Sequence, residues 1–463
     1  MAFTYTSGMV NGFSWMLHLG IGQFIFYIVP LLLLGNHFTR EPLTFGTSFG
    51  LSQVTIRRAY RALLVVTLLA AVLMVGRILW HTILVPPGWD FQGLWLYGKV
   101  VDAGSNPYLP SSFPPFAGPG PFVVNFPEEV LNVGAVYPPP SLLMFAAIGW
   151  LPMTIAIVPW MLVQTAAFVG MIILLRRTFF AHDGWEEWAC LLTLSLLLPG
   201  TIDTFGHAQV NFIAVLCVMA AWRSRERSAS GMYLVVASVM KLLYGFLWLY
   251  PLLRRRLKPL VGIAVAGSIA VIASIAAFGW KVFASYLFDN PVTHRMPSYY
   301  FTFFLNQSLL GESYRRFPYS RPPFGPPVGH PVYIVSATVI GLLTIWAVMQ
   351  QPRNSDGEDT AFILLLLAGM LIYPWTLTNY FVLLLVPMGY LWTRRNRSFL
   401  GLGWTIMLLS AMYPITYYRL GLYSFWATML LWLVTFTIAI HTIRAARMRK
   451  GEPDMRISAP AVS

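Results

Sequence analysis

Residues 63–91 read LLVVTLLAAVLMVGRILWHTILVPPGWDF, and this stretch decides the fold. Its apolar part, Leu63 to Val85, is long enough to cross a bilayer as one helix, which needs about 20 residues. Asp90 follows at the mouth of that helix, before a long loop rich in Pro, Gly and aromatic residues. A lone carboxylate in this position is either a catalytic base or an ordinary interfacial residue that caps a helix or pins a loop.

The composition confines the chain to one class of protein. Of its 463 residues, 57% are hydrophobic and only 10% are charged, whereas soluble domains carry about 25% charged residues. The alternating strands of a membrane barrel are not visible. The sequence therefore predicts an all-α polytopic membrane protein, a bundle of about 11–13 transmembrane or re-entrant helices with two large outer-face loops.

The net charge of +14 bears on orientation in the membrane and not on nucleic acid. Most Lys and Arg residues lie in short loops between apolar runs, as at Arg57-Arg58, Arg176-Arg177 and Arg254-Arg255-Arg256. Positively charged loops face the cytoplasm. We therefore expect the N-terminus outside, the C-terminus inside, and no nucleic-acid partner.

The same assignment of apolar runs and basic loops predicts a single integral membrane domain over residues 1–463. It begins with an N-terminal span and cytoplasmic loop, 1–61, in which Phe13 to Leu34 is the apolar run. Residues 86–150 form a first outer loop with interfacial helices, and residues 280–330 form a second outer loop. Residues 444–463 form a cytoplasmic tail.

Two regions predict broken helices. Ala189 to Leu198 and Asn211 to Trp222 are each too short for a full span, and a polar connection at 199–209 joins them. Gly231 to Leu253 begins and ends beside basic clusters, which indicates two half-helices with Lys241 near their tip. Broken helices at membrane depth are tolerated where they line a cavity.

These breaks supply the candidate polar residues. His207, Gln209 and Asn211 are grouped at one break, and Asp203 lies one turn earlier. They either face a cavity together or include an ordinary interfacial histidine. Asp203 is also the second candidate for a general base after Asp90, since proton abstraction needs a carboxylate within hydrogen-bond reach.

Lys241 is a cation within an apolar stretch, which is costly and points to a functional site. A phosphate is its natural partner, and the alternative is a lysine that snorkels to water. In the second outer loop, Arg295, Asn306 and Gln307 either bind a polar head group or are solvated. Asn306-Gln307-Ser308 also matches a glycosylation sequon.

No nucleotide-binding loop, zinc-protease motif or CxxC pair is present, which argues against soluble nucleotide-driven chemistry. Cys190 and Cys217 lie in apolar helical segments and are expected to be small core residues and not a disulfide or metal pair. We expect no metal and no other cofactor.

The order of the motifs resembles a known family. Asp90-Phe91, Asn106-Pro107-Tyr108, Tyr137-Pro138-Pro139, the 206–211 segment, Lys241, Asn306-Gln307-Ser308 and Pro374-Trp375 follow one another as in the polyprenol-phosphate-sugar glycosyltransferases of family 87, of the GT-C superfold. The resemblance covers roughly residues 60–400. Family members often carry histidine after the late Pro–Trp pair, where this chain has Thr378-Asn379-Tyr380, and the span before Arg57 is additional.

The resemblance implies an inverting transferase on the outer face of the plasma or inner membrane. It would move a sugar, typically mannose, from a polyprenyl phosphate donor to a lipid or glycan acceptor. The base of the family's first loop corresponds to Asp90, and Tyr137 and Asn379 lie in motifs expected to bind substrate. The competing classes are a transporter or flippase of a lipid-linked or anionic substrate, and an accessory subunit of an envelope-assembly complex.

Overall fold

The computed structural model describes residues 52–84, 89–113, 133–179, 184–303, 305–393 and 421–451. Within these ranges the chain contains helices and no strands, and its β contacts are isolated bridges, Pro297 with Phe324 and Asn306 with Leu377. The predicted all-α fold is confirmed. The predicted span Phe13 to Leu34 and the end of the predicted tail lie outside the described residues.

The described helices are α1 (Gln53–Leu84), α2 (Trp89–Asp102), α3 (Pro139–Gly149), α4 (Met153–Phe179), α5 (Trp185–Leu197), α6 (Pro199–His207), α7 (Asn211–Arg223), α8 (Ser228–Met240), α9 (Leu249–Leu253), α10 (Leu257–Phe278), α11 (Trp280–Phe288), α12 (Pro291–His294), α13 (Tyr299–Thr302), α14 (Leu309–Arg316), α15 (Pro331–Gln350), α16 (Ser355–Ile372), α17 (Leu385–Trp392) and α18 (Gly421–Gly451). Three 3-10 helices accompany them, Pro110–Ser112, Leu242–Trp248 and Thr378–Leu384.

Five of the described helices are long and apolar enough to cross a membrane: most of α1, α4, α10, α15 and most of α18. The bent pair α5 and α6, whose axes differ by 53°, is a sixth candidate. Shorter apolar helices, among them α3, α7 and α8, accompany these spans. The chain is therefore a multi-pass membrane protein.

Helix α10 shows how the bundle meets lipid. Only Pro259, Gly262 and Ser274 of its 22 residues are buried, while Val261 and Ile272 are more than half exposed. A helix that is apolar on all sides is stable only in a core or in a membrane. Since α10 has little protein around it, its surroundings are lipid.

The segment around Lys241 is broken as predicted. Helix α8 ends at Met240, Lys241 has an extended backbone with φ −149° and ψ 118°, and the 3-10 helix Leu242–Trp248 follows. Both halves are shorter than the roughly 20 residues of a full span. The break places Lys241 between two half-helices inside the bundle.

The connection at residues 199–209 differs from the simple joint between two short helices that the sequence suggested. Most of it is itself a helix, α6, and Pro199 lies at its start. Proline is well suited to the first turn of a helix because its fixed φ is already helical and no N–H is lost there. Helix α6 carries Asp203 and His207 on one face, four residues apart.

Helix α1 also begins earlier than predicted. Arg57 and Arg61, expected at the end of a loop, lie on the helix, and Arg61 Nε donates to Glu186 of α5 at 2.5 Å. A second ion pair joins buried Arg254, after α9, to Glu358 of α16 at 2.5 Å. The basic helix ends are thus tied together at one end of the bundle.

Candidate active site

A cavity of about 280 Å³ lies among α2, α6, the break at Lys241 and the 3-10 helix Thr378–Leu384. This volume is near the lower end for ligand pockets, roughly 300–1,000 Å³. Its polar lining consists of Asp90, Asp203, His207, Gln209, Lys241, Thr378 and Asn379. Aromatic and aliphatic side chains form most of the remainder, including Tyr97, Tyr137, Tyr300, Phe303, Tyr373, Trp375 and Tyr380. An apolar cavity with a few convergent charged groups is suited to an amphipathic ligand.

Asp90 lies in the first turn of α2 and lines this cavity. The N-terminal end of a helix carries a partial positive charge that favours a carboxylate. Its neighbour Phe91 is buried against Trp160, with ring centroids 6.2 Å apart. The Trp160 indole N–H in turn donates to the carbonyl of Ala208 at 2.7 Å. These contacts fix the start of α2 relative to the end of α6.

Lys241 is held between two aromatic rings. Its ammonium lies 4.8 Å from the ring centroid of Tyr380 and 5.5 Å from that of Tyr137, within cation–π range. The residue is only 8% exposed, and no carboxylate of the described residues lies within ion-pair distance of its ammonium. Asp203, the acid that could have paired with it, is bonded elsewhere. A buried cation that faces a cavity in this way is suited to an anionic ligand.

Asp203 and His207 form a hydrogen-bonded pair on α6. The Nδ1 of His207 lies 2.8 Å from Oδ1 of Asp203. The hydroxyl of Thr378 donates to Oδ2 of the same carboxylate at 3.1 Å. Both oxygens of Asp203 are therefore engaged by protein groups, and this residue is poorly placed to act as a free base.

Asn211 does not line the cavity, although it was predicted to bind substrate. Its amide nitrogen donates to the carbonyl of Asn379 at 3.0 Å and to the hydroxyl of Thr204 at 3.1 Å. It thereby joins α6 and α7 to the 3-10 helix that carries Thr378. The turn before it contains Ala208 with φ +52°, a left-handed conformation that is uncommon for a residue with a Cβ.

Gln209 and Asn379 line the cavity, and each carries an amide oxygen that is unpaired within the described ranges. Gln209 Oε1 and Asn379 Oδ1 are both buried, and among the described residues neither has a hydrogen-bond partner. Buried polar atoms are normally paired, so an unpaired one requires an explanation. Asn211 Oδ1, outside the cavity lining, is unpaired in the same way.

Tyr137 supplies one wall of the cavity and one ring for Lys241. The hydroxyl of Tyr108 donates to the Tyr137 carbonyl at 2.8 Å, and Ser141 donates to the carbonyl of Val239 at 2.6 Å. The Asn106-Pro107-Tyr108 motif and the start of α3 therefore hold Tyr137 against the break at Lys241. Nearby, burial raises the pKa of Tyr97 well above its ordinary value, so its hydroxyl remains neutral and a potential donor.

Arg295, Asn306 and Gln307 lie outside the cavity lining. Arg295 pairs with Asp289 at 3.0 Å. The side-chain amide of Asn306 donates to the carbonyl of Pro374 at 2.7 Å. The backbone N–H of Gln307 donates to the carbonyl of Thr376, also at 2.7 Å. The last two residues thus hold the segment that carries Trp375 and Thr378. Their direct part in substrate binding stays a prediction.

Thr378 and Tyr380 are part of the site, but no local pattern assigns them a role. Thr378 lies 175 residues from its partner Asp203, and Tyr380 belongs to a short 3-10 helix. Only their position directly after the Pro374-Trp375 motif of the sequence marks them. Among the described residues, no group of three or more His, Cys, Asp or Glu side chains could hold a metal ion.

The fold and the site define a multi-pass membrane protein with a largely apolar cavity that contains a few charged groups. Residues 135–377, more than half of the chain, match the model of glycosyltransferase family 87, and the chain belongs to that family. It is a glycosyltransferase that uses polyprenol-phosphate-linked sugars. The matches give no support to a transporter or an accessory subunit.

A characterised relative makes the comparison more specific. The chain is 25% identical over 373 residues to the polyprenol-phosphate-mannose-dependent alpha-(1-2)-phosphatidylinositol pentamannoside mannosyltransferase of Mycolicibacterium smegmatis. The alignment covers 76% of this chain and 82% of the relative. No solved structure matches the chain.

Proposed function

We propose that the protein transfers a mannosyl group, with inversion, from a polyprenyl phosphate to a hydroxyl of a lipid or glycan acceptor. The reaction takes place on the outer face of the plasma membrane. The observation that carries this proposal is that Asp90 and Lys241, which come from separate elements, line one cavity. The name of the mycobacterial relative, which states a mannose donor and a phosphatidylinositol mannoside acceptor, supports the donor and the acceptor class.

In the proposed reaction Asp90 accepts the proton of the acceptor hydroxyl. The acceptor oxygen forms a bond to the anomeric carbon while the bond from that carbon to the phosphate oxygen breaks. The electron pair of the broken bond leaves with the polyprenyl phosphate. Such general-base assistance contributes about 10²–10⁴ in rate.

Lys241 binds the phosphate of the donor. Its ammonium is fixed by the rings of Tyr137 and Tyr380, and no carboxylate of the described residues lies within ion-pair distance of it. A positive charge fixed before the reaction stabilises the charge that develops on the leaving phosphate without reorganisation. The polar side chains of Gln209 and Asn379, which line the same cavity, bind sugar hydroxyls.

Inversion is supported by the state of the second carboxylate. A retaining enzyme of this kind would need a nucleophilic carboxylate beside the anomeric carbon. Both oxygens of Asp203 are held by His207 and Thr378, which leaves Asp90 as the available carboxylate of the cavity lining. A single displacement then follows, with acceptor and phosphate on opposite sides of the sugar.

The outer face is supported by the charge distribution. Arg57, Arg58 and Arg61 lie in the first three turns of α1, whereas Arg77 is the one arginine near its other end, which Asp90 follows. Because positive charge is retained in the cytoplasm, the end that leads to Asp90 is expected outside.

The test is an assay with purified protein in detergent or proteoliposomes. Radiolabelled polyprenyl-phosphate mannose and the glucose and arabinose analogues are each incubated with an extract of membrane lipids. We expect transfer from the mannose donor alone and a product of opposite anomeric configuration by NMR. Transfer only from another donor would refute mannose, and retained configuration would refute single displacement.

A further inference from the structure

The hydrogen-bonded pair of Asp203 and His207 has no role in the reaction proposed above, in which Asp90 is the base and Lys241 binds the phosphate. A carboxylate can only accept hydrogen bonds, so the contact of 2.8 Å requires that His207 Nδ1 carries a hydrogen. The hydroxyl of Thr378 occupies the other oxygen of Asp203 at 3.1 Å. Orientation of one imidazole nitrogen by a carboxylate fixes the ring and determines what the other nitrogen can do.

The other nitrogen, Nε2, is the one that the bond to Asp203 leaves available on a ring that lines the cavity. The side chain of His207 is 25% exposed, whereas that of Asp203 is only 8% exposed. His207 lines the cavity, and within the described ranges Nε2 has no hydrogen-bond partner. The pair therefore presents one unoccupied imidazole nitrogen from a fixed ring.

Two carboxylates and one ammonium lie around His207. Asp203 is bonded to it from the same helix, and Asp90 of α2 lies within electrostatic reach. Lys241, which also lines the cavity, supplies the ammonium, and Tyr380 of the neighbouring 3-10 helix is a neutral phenol. His81 of adjacent α1 is exposed. The cavity therefore contains two carboxylates and one ammonium, and a second positive charge would balance them.

The phosphate that leaves in the reaction gains negative charge, which a second positive group beside Lys241 can compensate. In the sugar-linked donor the phosphate is a diester with one negative charge. After transfer it is a monoester, whose second proton dissociates near pH 6, so the released phosphate approaches two negative charges. Lys241 compensates one of them.

On the basis of the proposed function, we propose that His207 is the catalytic acid of the reaction, which donates its Nε2 proton to the departing phosphate, and that Asp203 is its positioning residue. As the anomeric C–O bond breaks, its electron pair moves onto the phosphate oxygen, and a phosphate oxygen takes the proton from Nε2. The acceptor proton has meanwhile moved to Asp90. After product release, Asp90 loses one proton to water and His207 regains one, so the enzyme returns to its starting state.

The proposal predicts that His207 strengthens the binding of free polyprenyl phosphate more than it strengthens the binding of the sugar-linked donor. Affinities are measured for polyprenyl-phosphate mannose and for free polyprenyl phosphate, which needs no knowledge of the acceptor. In His207→Gln, affinity for free polyprenyl phosphate should fall about tenfold or more, since a charge-assisted hydrogen bond is lost. Affinity for the sugar donor should change by less than about threefold, because its phosphate carries one charge less.

The pH dependence of kcat supplies the second readout. In the wild type, kcat should fall at alkaline pH as the His207 imidazolium and the Lys241 ammonium lose their protons. In His207→Gln only the part due to Lys241 should remain, so the fall should be less steep. In Asp203→Asn the part due to His207 should move to lower pH, because the imidazolium loses the carboxylate that stabilises it. His294→Gln, an exposed histidine outside the cavity, is the matched control and should behave as wild type.

The outcomes separate this proposal from the proposed function. Equal loss of donor and product affinity in His207→Gln, or an alkaline limb unchanged in both variants, would overturn the acid role while the wild-type enzyme still transfers sugar. Absence of donor binding and transfer in the wild type would instead refute the proposed function. Thermal unfolding of each variant shows whether it is folded, and Asp203→Asn provides the test if His207→Gln is not.

Discussion

Lys241 shows how far a single residue can be interpreted from sequence. Its place in an apolar stretch predicts a functional cation, and the structure places it at the cavity between two rings. The rings themselves could not be predicted. Tyr137 and Tyr380 lie more than a hundred positions away on either side, and only the packed fold brings them together.

We expect Lys241→Met to weaken donor binding and slow transfer without loss of stability. An unpaired charge at membrane depth costs on the order of 2.5–3.5 kcal/mol, so its removal should leave the thermal stability equal or higher. Lys241→Arg should restore part of the activity, although a planar guanidinium places its charge differently. Donor affinity and the unfolding temperature are measured on the same preparations.

Lys281→Met is the matched control, because Lys281 is exposed and outside the cavity lining. It should bind donor as the wild type does. A Lys241→Met protein that binds donor normally but unfolds at a lower temperature would mean that Lys241 has a structural role.

At the scale of elements, the half-helices were predictable and their contacts were not. The short apolar runs and the basic boundaries around Gly231 to Leu253 indicated a break, because neither half could span a bilayer. The helix within residues 199–209 was missed, since its Gly and Pro residues resemble a turn. Pro199 instead starts α6, and Gly200 allows its close approach to the 3-10 helix Thr378–Leu384.

Gly200 gives a prediction for this contact. A Cβ at position 200 would lie 2.3 Å from the backbone nitrogen of Val382, so Gly200→Ala must push α6 away from the 3-10 helix. We expect a loss of about 1–3 kcal/mol in stability, as for other overpacked sites. Transfer should also slow, because the hydrogen bond from Thr378 to Asp203 crosses the same contact.

Gly206→Ala is the control on the same helix, where an added Cβ meets nothing within 4 Å. Its thermal unfolding and transfer rate should remain near those of the wild type. Equal effects of the two substitutions would show that α6 does not depend on close approach at Gly200.

At the scale of the whole molecule, composition and charge predicted the class of protein and an orientation. The membrane class follows from 57% hydrophobic residues, and the structure gathers basic helix ends at one end of the bundle through pairs such as Arg254 with Glu358. The pairing of those ends could not be predicted, since Arg254 and Glu358 lie 104 residues apart.

The orientation can be tested by labelling single cysteines in a variant that lacks Cys190 and Cys217. Ser111→Cys, near the cavity end, should react with an impermeant reagent in intact cells, because this end is expected outside. Ser228→Cys, at the basic end, should react only after permeabilisation. Both positions are exposed in the structure. Labelling of Ser228→Cys from outside would reverse the proposed topology.

Single-turnover transfer by purified Asp90→Asn tests whether Asp90 accepts the proton of the acceptor hydroxyl. Asp102→Asn is the matched control, because Asp102 is an exposed acid at the other end of α2. We predict that Asp90→Asn binds donor with nearly wild-type affinity but transfers sugar about 10²–10⁴ times more slowly, while Asp102→Asn is unaffected. Transfer by Asp90→Asn within a few-fold of the wild-type rate would show that Asp90 is not the base.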